Sequence, residues 1–260
     1  KEILNESVLS DLPLILIVED NADVRNYIHS ILTDTCQVVF AMNGLEGRDK
    51  AFDIIPDLII SDVMMPIMDG FEFCAAVKSD IRTAHIPVIL LTAKSSSENR
   101  IKGLEQEADI FMSKPFNPLE LELQVKNLLN LKERMRDRYL QDNLQTIPES
   151  VVNNSLEQKF LLKLEEVMES NYENPDFTAE MMSEAMGMSR SQLHRKLKAL
   201  TGDSTTEYIR SYRLKIAYQK LLVKTGSISE IAFQVGFNNA SYFNKCFKIS
   251  FGMQPSEIDV

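Results

Sequence analysis

Leu14-Ile-Leu-Ile-Val18, followed at once by Glu19-Asp20, is a short apolar run closed by two carboxylates. Five leucine or β-branched residues with no polar position among them suit a strand buried on both faces, as in a parallel sheet. Four further candidate strands follow at Gln37–Ala41, Leu58–Ser61, Val88–Leu91 and Ile110–Met112. The intervening segments, such as Ala22–Leu32 and Gly44–Ile54, have helical spacing. This alternation predicts βαβ units with right-handed crossovers, and so an α/β doubly wound five-stranded parallel sheet.

The ends of these strands carry the chemistry. Glu19-Asp20 closes the first, Asp62 follows the third, Thr92 the fourth and Lys114 the fifth. In open α/β sheets ligands bind beyond the carboxyl ends of the strands. Three carboxylates, a hydroxyl and an ammonium converging there describe a divalent-cation site beside a phosphoryl site. Hard oxygen ligands suit Mg²⁺. A carboxylate in that shell can act as nucleophile to give an aspartyl phosphate, while the cation and Lys114 offset charge on the transferring oxygens. Any one such residue is commonly a helix cap or a loop charge; the recurrence at four strand ends is what points to a site.

Val18-Glu-Asp-Asn-Ala-Asp23, Ser61-Asp-Val-Met-Met-Pro66 with Asp69-Gly70, Leu91-Thr-Ala93 and Ser113-Lys-Pro-Phe116 resemble the signature motifs of two-component receiver domains. The resemblance runs from about residue 13 to 130 and implies a sheet of order 2-1-3-4-5. It further implies that Asp62 is the phosphoacceptor, that Glu19, Asp20 and Asp62 hold Mg²⁺, and that the backbone carbonyl of Met64 adds a ligand. Thr92 is then the switch hydroxyl, Lys114 its ion-pair partner, and Phe111 stands at the aromatic switch position. The family often has Tyr there, so its hydroxyl contact is missing. Phe111 reads equally well as a packed strand residue.

From residue 157 onward helical spacing takes over. Phe160, Leu161, Leu164 and Val167 form one apolar stripe, and Ile209, Tyr212, Ile216 and Tyr218 lie on another long helix. Thr178–Ala185, the turn Met186-Gly-Met188 and Ser189–Leu200 then outline a helix-turn-helix, repeated by Ser227–Val235, the turn Gly236-Phe-Asn-Asn239 and Ala240–Ser250. In the first unit Leu193 and Leu197 are expected inward, with Arg190, Ser191, His194 and Arg195 outward. In the second, Phe243 and Phe247 are expected inward, with Ser241, Asn244, Lys245 and Lys248 outward. Arginine suits guanine edges, and Ser or His reaches bases or phosphates. Lys198, Lys220 and Lys224 suit sequence-blind phosphate contacts. A single basic helix is more often a solvated face than a reader, and His194 alone more often a surface or capping residue. Two such helices in tandem favour DNA.

This half resembles the AraC/XylS-type DNA-binding domain over roughly residues 157–260. The matching stretches are Gly187-Met-Ser-Arg-Ser-Gln-Leu-His-Arg-Lys-Leu-Lys, Thr201-Gly, Tyr208-Ile-Arg-Ser-Tyr-Arg-Leu, Ile231-Ala-Phe-Gln-Val-Gly-Phe237 and Tyr242-Phe-Asn-Lys-Cys-Phe-Lys with Gly252-Met-Gln-Pro-Ser256. The resemblance implies that both second helices enter successive major grooves on one face of double-stranded DNA. Its readers are then Ser191, His194 and Arg195, with Ser241, Asn244 and Lys245. Thr225–Ser227 departs from the family by lacking a basic cluster before the second unit.

Charge divides the chain in the same way. Residues 1–150 hold 15 Lys+Arg against 25 Asp+Glu, residues 151–260 hold 13 of each, and residues 190–250 hold 11 basic against 3 acidic groups. An acidic half followed by a basic stretch suits two modules, the second with a polyanionic partner. Three cysteines without a CxxC pair argue against a disulfide framework or zinc finger and for a reducing cytoplasm. Residues 1–12 carry charges and no long apolar stretch, so neither a secretory signal nor membrane contact is expected. The expected organisation is a leader at 1–12, a receiver at 13–130, a linker at 131–156 and a DNA-binding domain at 157–260. Asn117–Tyr139 could form one helix. A polar tether after about Asp142 is favoured over coiled-coil pairing, since fewer than three heptads are available.

Receiver followed by AraC-type domain, in a chain beginning at Lys1, resembles the carboxyl-terminal part of a hybrid two-component regulator of Bacteroidetes. The resemblance implies a histidine kinase phosphodonor on the same full-length polypeptide, no kinase activity in this segment, and a homodimer on phosphorylation. Two other classes remain: a phosphotransfer relay in which DNA contact is secondary, and a metal-dependent phosphohydrolase. The hydrolase needs a second acid two residues after Asp62, where Met64 stands.

Overall fold

The computed structural model describes residues 12–93, 108–142 and 155–258, which fall into two compact units, one built mainly from residues up to Arg138 and the other mainly from Gln158 onward. In the first unit, β1 (Leu14–Val18) lies between β2 (Gln37–Ala41) and β3 (Leu58–Asp62). Beyond β3 come β4 (Val88–Thr92) and β5 (Ile110–Ser113). All pairings are parallel, and the order is β2-β1-β3-β4-β5.

The two-residue period of the strands sorts their side chains into two cores. Leu16, Val18, Ile59, Val88 and Leu90 pack with Ala51, Phe73, Cys74 and Val77 from α2 (Gly44–Ile54) and α3 (Gly70–Ser79). Ile15, Ile17, Leu58, Ile60, Ile89 and Leu91 pack with Ile28 and Leu32 of α1 (Ala22–Leu32) and with Leu121 and Val125 of α4 (Pro118–Asp142). Burial on both faces explains why these strands read as continuous apolar runs.

Three strands run one residue further than their apolar runs suggest. The ladder continues through Asp62 opposite Leu91 and Thr92 opposite Ser113. Asp62 and Thr92 are therefore the last residues of their strands rather than the first of their loops. Helix α4 is continuous from Pro118 to Asp142, with Lys132 Nζ 3.3 Å from Asp57 Oδ1. The expected tether after Asp142 and the side chain of Met135 lie outside what the structure describes. All three cysteines are buried thiols. No helix among the described residues is long and apolar enough to cross a membrane.

The second unit is helical: α5 (Ser155–Asn171), α6 (Ala179–Met186), α7 (Arg190–Thr201), α8 (Thr205–Leu222), α9 (Ile228–Gln234) and α10 (Ala240–Phe251), then a 3-10 turn at Pro255–Glu257. Helices α7, α8 and α9 open with the same device. Ser189, Ser204 and Ser227 each accept from the backbone three residues on, and Gln192, Glu207 and Glu230 reach back to the cap's own N–H. Phe160, Leu164, Met182, Leu193 and Leu197 are fully buried in the first half of this unit. In the second half, Leu214, Ala217, Ile231, Val235, Phe243 and Phe247 form one core. Its aromatic file runs from Phe237 through Phe243 and Phe247 to Phe251, with ring centroids 5.2, 5.6 and 4.5 Å apart.

Candidate acidic site and nucleic-acid interface

The carboxyl ends of β1, β3, β4 and β5 bring Glu19, Asp20, Asp62, Thr92 and Lys114 to one end of the sheet. Glu19, Asp20 and Asp62 each offer a carboxylate oxygen within 4.8 Å of the others, with Glu19 and Asp62 buried and Asp20 exposed. Lys114 Nζ bridges two of the acids, 2.6 Å from Glu19 Oε2 and 3.0 Å from Asp62 Oδ1. The donor set is all hard oxygen, which fits Mg²⁺. Thr92 is buried at the end of β4.

Backbone contacts hold this geometry. Glu19 N–H donates to the Ala41 carbonyl at 3.0 Å, and Lys114 N–H to the Thr92 carbonyl at 2.7 Å, tying neighbouring strand ends together. Asp62 Oδ1 accepts the N–H of Val63 at 2.8 Å. The loop after β3 folds back so closely that a Cβ at Gly70 would collide with the Asp62 carbonyl oxygen. Met64 is 70% exposed on that loop. Burial pushes the Glu19 carboxyl above its usual range and the nearby Asp62 adds to this, while the hydrogen bond from Lys114 pulls it back down. Phe111 is half-buried on β5 and stacks on Phe71 at 6.3 Å, within the core shared with α2 and α3.

Arg25 was not singled out in the sequence. Its Nη1 donates to the carbonyls of Glu19 and Asp20 at 2.7 and 2.9 Å, drawing the acidic loop onto α1. A cation five and six residues beyond the acidic pair is the only sequence signal for it.

In the second unit Arg190, Ser191, His194 and Arg195 of α7 are all exposed, and so are Ser241, Lys245 and Lys248 of α10. Leu193, Leu197, Phe243 and Phe247 face inward. One expectation changes, and one basic residue of the positive stretch proves internal. Asn244, expected outward, is half-buried, and its Oδ1 is enclosed without a hydrogen-bond partner. Cys246 and Phe247 turn the same side of α10 toward the core, which draws position 244 in with them. Lys196, one of the basic residues in the positive stretch, is fully buried, its ammonium 4.7 Å from the centre of the Phe160 ring. It ties α7 to α5 and adds nothing to the outer face. Tyr242, absent from the expected readers, is half exposed at the start of α10 beside Phe237.

Carboxylates bridged by a lysine at the ends of a 2-1-3-4-5 parallel sheet define a receiver-type module, and two capped helix pairs define a tandem helix-turn-helix unit. Residues 15–126 match the response regulator receiver domain, and residues 182–259 match a helix-turn-helix domain. The chain carries a response regulator receiver domain followed by a helix-turn-helix domain of the AraC type. Over 98% of its length it is 38% identical to part of Histidine kinase P4 of Formosa agariphila, of which it covers 19%. It is also 36% identical over 126 residues, 48% of the chain, to the DNA-binding dual master transcriptional regulator RpaA of Synechocystis, covering 52% of that protein. A signal receiver domain of a signal transduction histidine kinase from Syntrophus aciditrophicus is 35% identical over 53% of this chain and 98% of its own, with a TM-score of 0.45. The chain thus spans about a fifth and about half of the two curated relatives. Receiver plus AraC-type helix-turn-helix is the organisation of a response-regulator transcription factor.

Proposed function

We propose that the chain is a cytoplasmic, phosphorylation-controlled, sequence-specific DNA-binding regulator that accepts a phosphoryl group from a histidine kinase on Asp62. The observation that carries this reading is the Lys114 ammonium set between Glu19 and Asp62, beside a third carboxylate. A carboxylate oxygen of Asp62 attacks the phosphorus of a phosphohistidine. The P–N bond breaks, the acyl-phosphate P–O bond forms, and the imidazole leaves as the neutral base after taking up a proton. Mg²⁺ bound by Glu19, Asp20, Asp62 and the Met64 carbonyl would supply positive charge for the transferring oxygens. Lys114 supplies a second cation, and Thr92 a hydroxyl for the phosphorylated product. In this reading Phe111 repacks against Phe71 as Thr92 turns, and the reshaped face pairs two receivers.

Pairing raises the effective concentration of two DNA-binding units. Double-stranded DNA is read by Arg190, Ser191, His194 and Arg195 on α7 and by Ser241 and Lys245 on α10. The modules are assigned to residues 13–130 and 157–260, joined by 131–156, and the kinase to the remainder of a longer polypeptide. The test is selection of duplexes from a random pool, with and without an acyl-phosphate donor and Mg²⁺, using Asp62→Asn as control. Tighter binding with the donor only when Asp62 is present supports the reading. Specific binding indifferent to the donor removes the switch, and phosphoryl passing onward to an external histidine favours a relay.

A further inference from the structure

The two helix pairs of the second unit are joined by α8, which packs against both helices of each pair. Near the middle of α8, Arg213 ties three separated segments together. Its Nε donates to the Tyr172 carbonyl at 3.0 Å and its Nη2 to the Asn174 carbonyl at 2.6 Å, in the turn after α5. That turn leads directly into the first helix pair. Beside this bond sits Gly236, in the turn between α9 and α10, at φ 80°. A Cβ there would run into the Tyr172 carbonyl oxygen and stand 3.0 Å from Arg213 Nε. The turn of the second pair therefore rests directly on the guanidinium and on the carbonyl that anchors it. Only glycine combines this conformation with this approach. The planar fork of donors serves both carbonyls in one fixed geometry, which an ammonium does not.

We infer that the joint of Arg213, the Tyr172 and Asn174 carbonyls and Gly236 sets the distance and phase between α7 and α10, and with them the spacing of the two DNA half-sites the chain prefers. Arg213 and Gly236 act here as positioning residues. The part of the inference that concerns DNA rests on the DNA-binding reading above; the part that concerns the joint does not. The tolerance is narrow. One base pair added between half-sites moves the second by about 3.4 Å along the axis and turns it by about 35° around it. A rigid joint turns that displacement into lost contacts at one half-site.

The test has two arms on the 260-residue chain. In the first, spin labels at Glu184→Cys and Ser229→Cys, both exposed positions outside the DNA-reading helices, report the distance between the helix pairs without DNA. One narrow distance is expected in the parent, and a shifted or broadened distribution in Gly236→Ala and Arg213→Lys. In the second arm, duplexes carry the selected half-sites at the preferred spacing or one base pair away from it. The parent is expected to discriminate about tenfold, and the variants no more than about twofold, while affinity for a single half-site stays within about twofold of the parent. Variants that keep both the narrow distance and the spacing preference overturn the inference, even if they bind more weakly throughout. If Gly236→Ala loses its helical circular dichroism, Arg213→Lys, which keeps the charge but not the fork, decides alone. If the parent binds no duplex specifically, the DNA-binding reading fails and the distance arm still judges the joint.

Discussion

The acidic site and the exposed faces of α7 and α10 are built in opposite ways. The first is assembled from residues far apart in the chain: Lys114 meets Glu19 across 95 positions, the acid buried and the lysine half-buried at strand ends. The second is assembled locally, from exposed residues within one or two turns of capped helices. A site built from buried, distant parts is sensitive to single atoms in its frame. A site spread along an exposed helix face degrades residue by residue.

Substitutions can break this contrast. Asp62→Asn is expected to abolish acyl-phosphate formation, a loss of about 100-fold or more read by phosphate-affinity electrophoresis, with the fold intact. In the frame, Phe247→Ala in the second unit is expected to cost about 3–5 kcal/mol in urea unfolding, because the ring is fully buried in the aromatic file. Gly70→Ala should cost more than about 2 kcal/mol and lower phosphorylation as well, since its Cβ would push on the Asp62 carbonyl. Gly187→Ala, strained by its φ of 68° but with nothing within 4 Å of the new Cβ, should cost only about 1–2 kcal/mol. Equal costs for the two glycines would sink the account of the loop after β3.

On the DNA side, Arg195→Gln is expected to cost about 1–3 kcal/mol on the selected site and to relax one base position. Lys224→Gln should weaken all sequences alike and lower the salt slope by about one. A uniform loss from both would make α7 a phosphate-binding rather than a base-reading helix.

Two carboxyls sharpen the contrast through pH. Glu19 is raised in the folded state, so the folded protein holds a proton the unfolded chain has already lost. Stability conferred by that proton falls as pH rises from the unfolded value through the raised one. If Glu19 holds Mg²⁺ as proposed, binding displaces the same proton, and the affinity is expected to rise with pH over that window, as followed by titration calorimetry. Glu207 is lowered, first by the backbone N–H of Ser204 and then by its hydroxyl. Its contribution is present above the unfolded value and lost as pH falls through the lowered one. Glu207→Gln keeps the reach-back bond and should remove that acid-side dependence, with a change below about 0.5 kcal/mol at neutral pH because the side chain is half exposed.

The sheet and its site were legible because each element announces itself locally. Leu14–Val18 is apolar throughout for want of a solvent face, and Glu19, Asp62, Thr92 and Lys114 each terminate such a run. The apolar rows Leu193/Leu197 and Phe243/Phe247 likewise marked the inner faces of α7 and α10. What escaped depends on tertiary neighbours. Lys196 reads as one more surface cation, and its burial follows from the position of Phe160 on another helix. Asn244 lies on the boundary of its helix face, where the depth of the neighbouring core decides its exposure. Arg213 carries no local mark of its bond to Tyr172, 41 residues away.

The serine-headed caps of α7, α8 and α9 write each helix start within four residues of sequence. The parallel sheet has no such shorthand, since β1 closes against residues more than twenty and more than forty positions away. Closing long loops before any contact rewards them slows folding. Of these two units, the one that leaves the ribosome later is therefore the one equipped to reach its final shape sooner, once it is free to move.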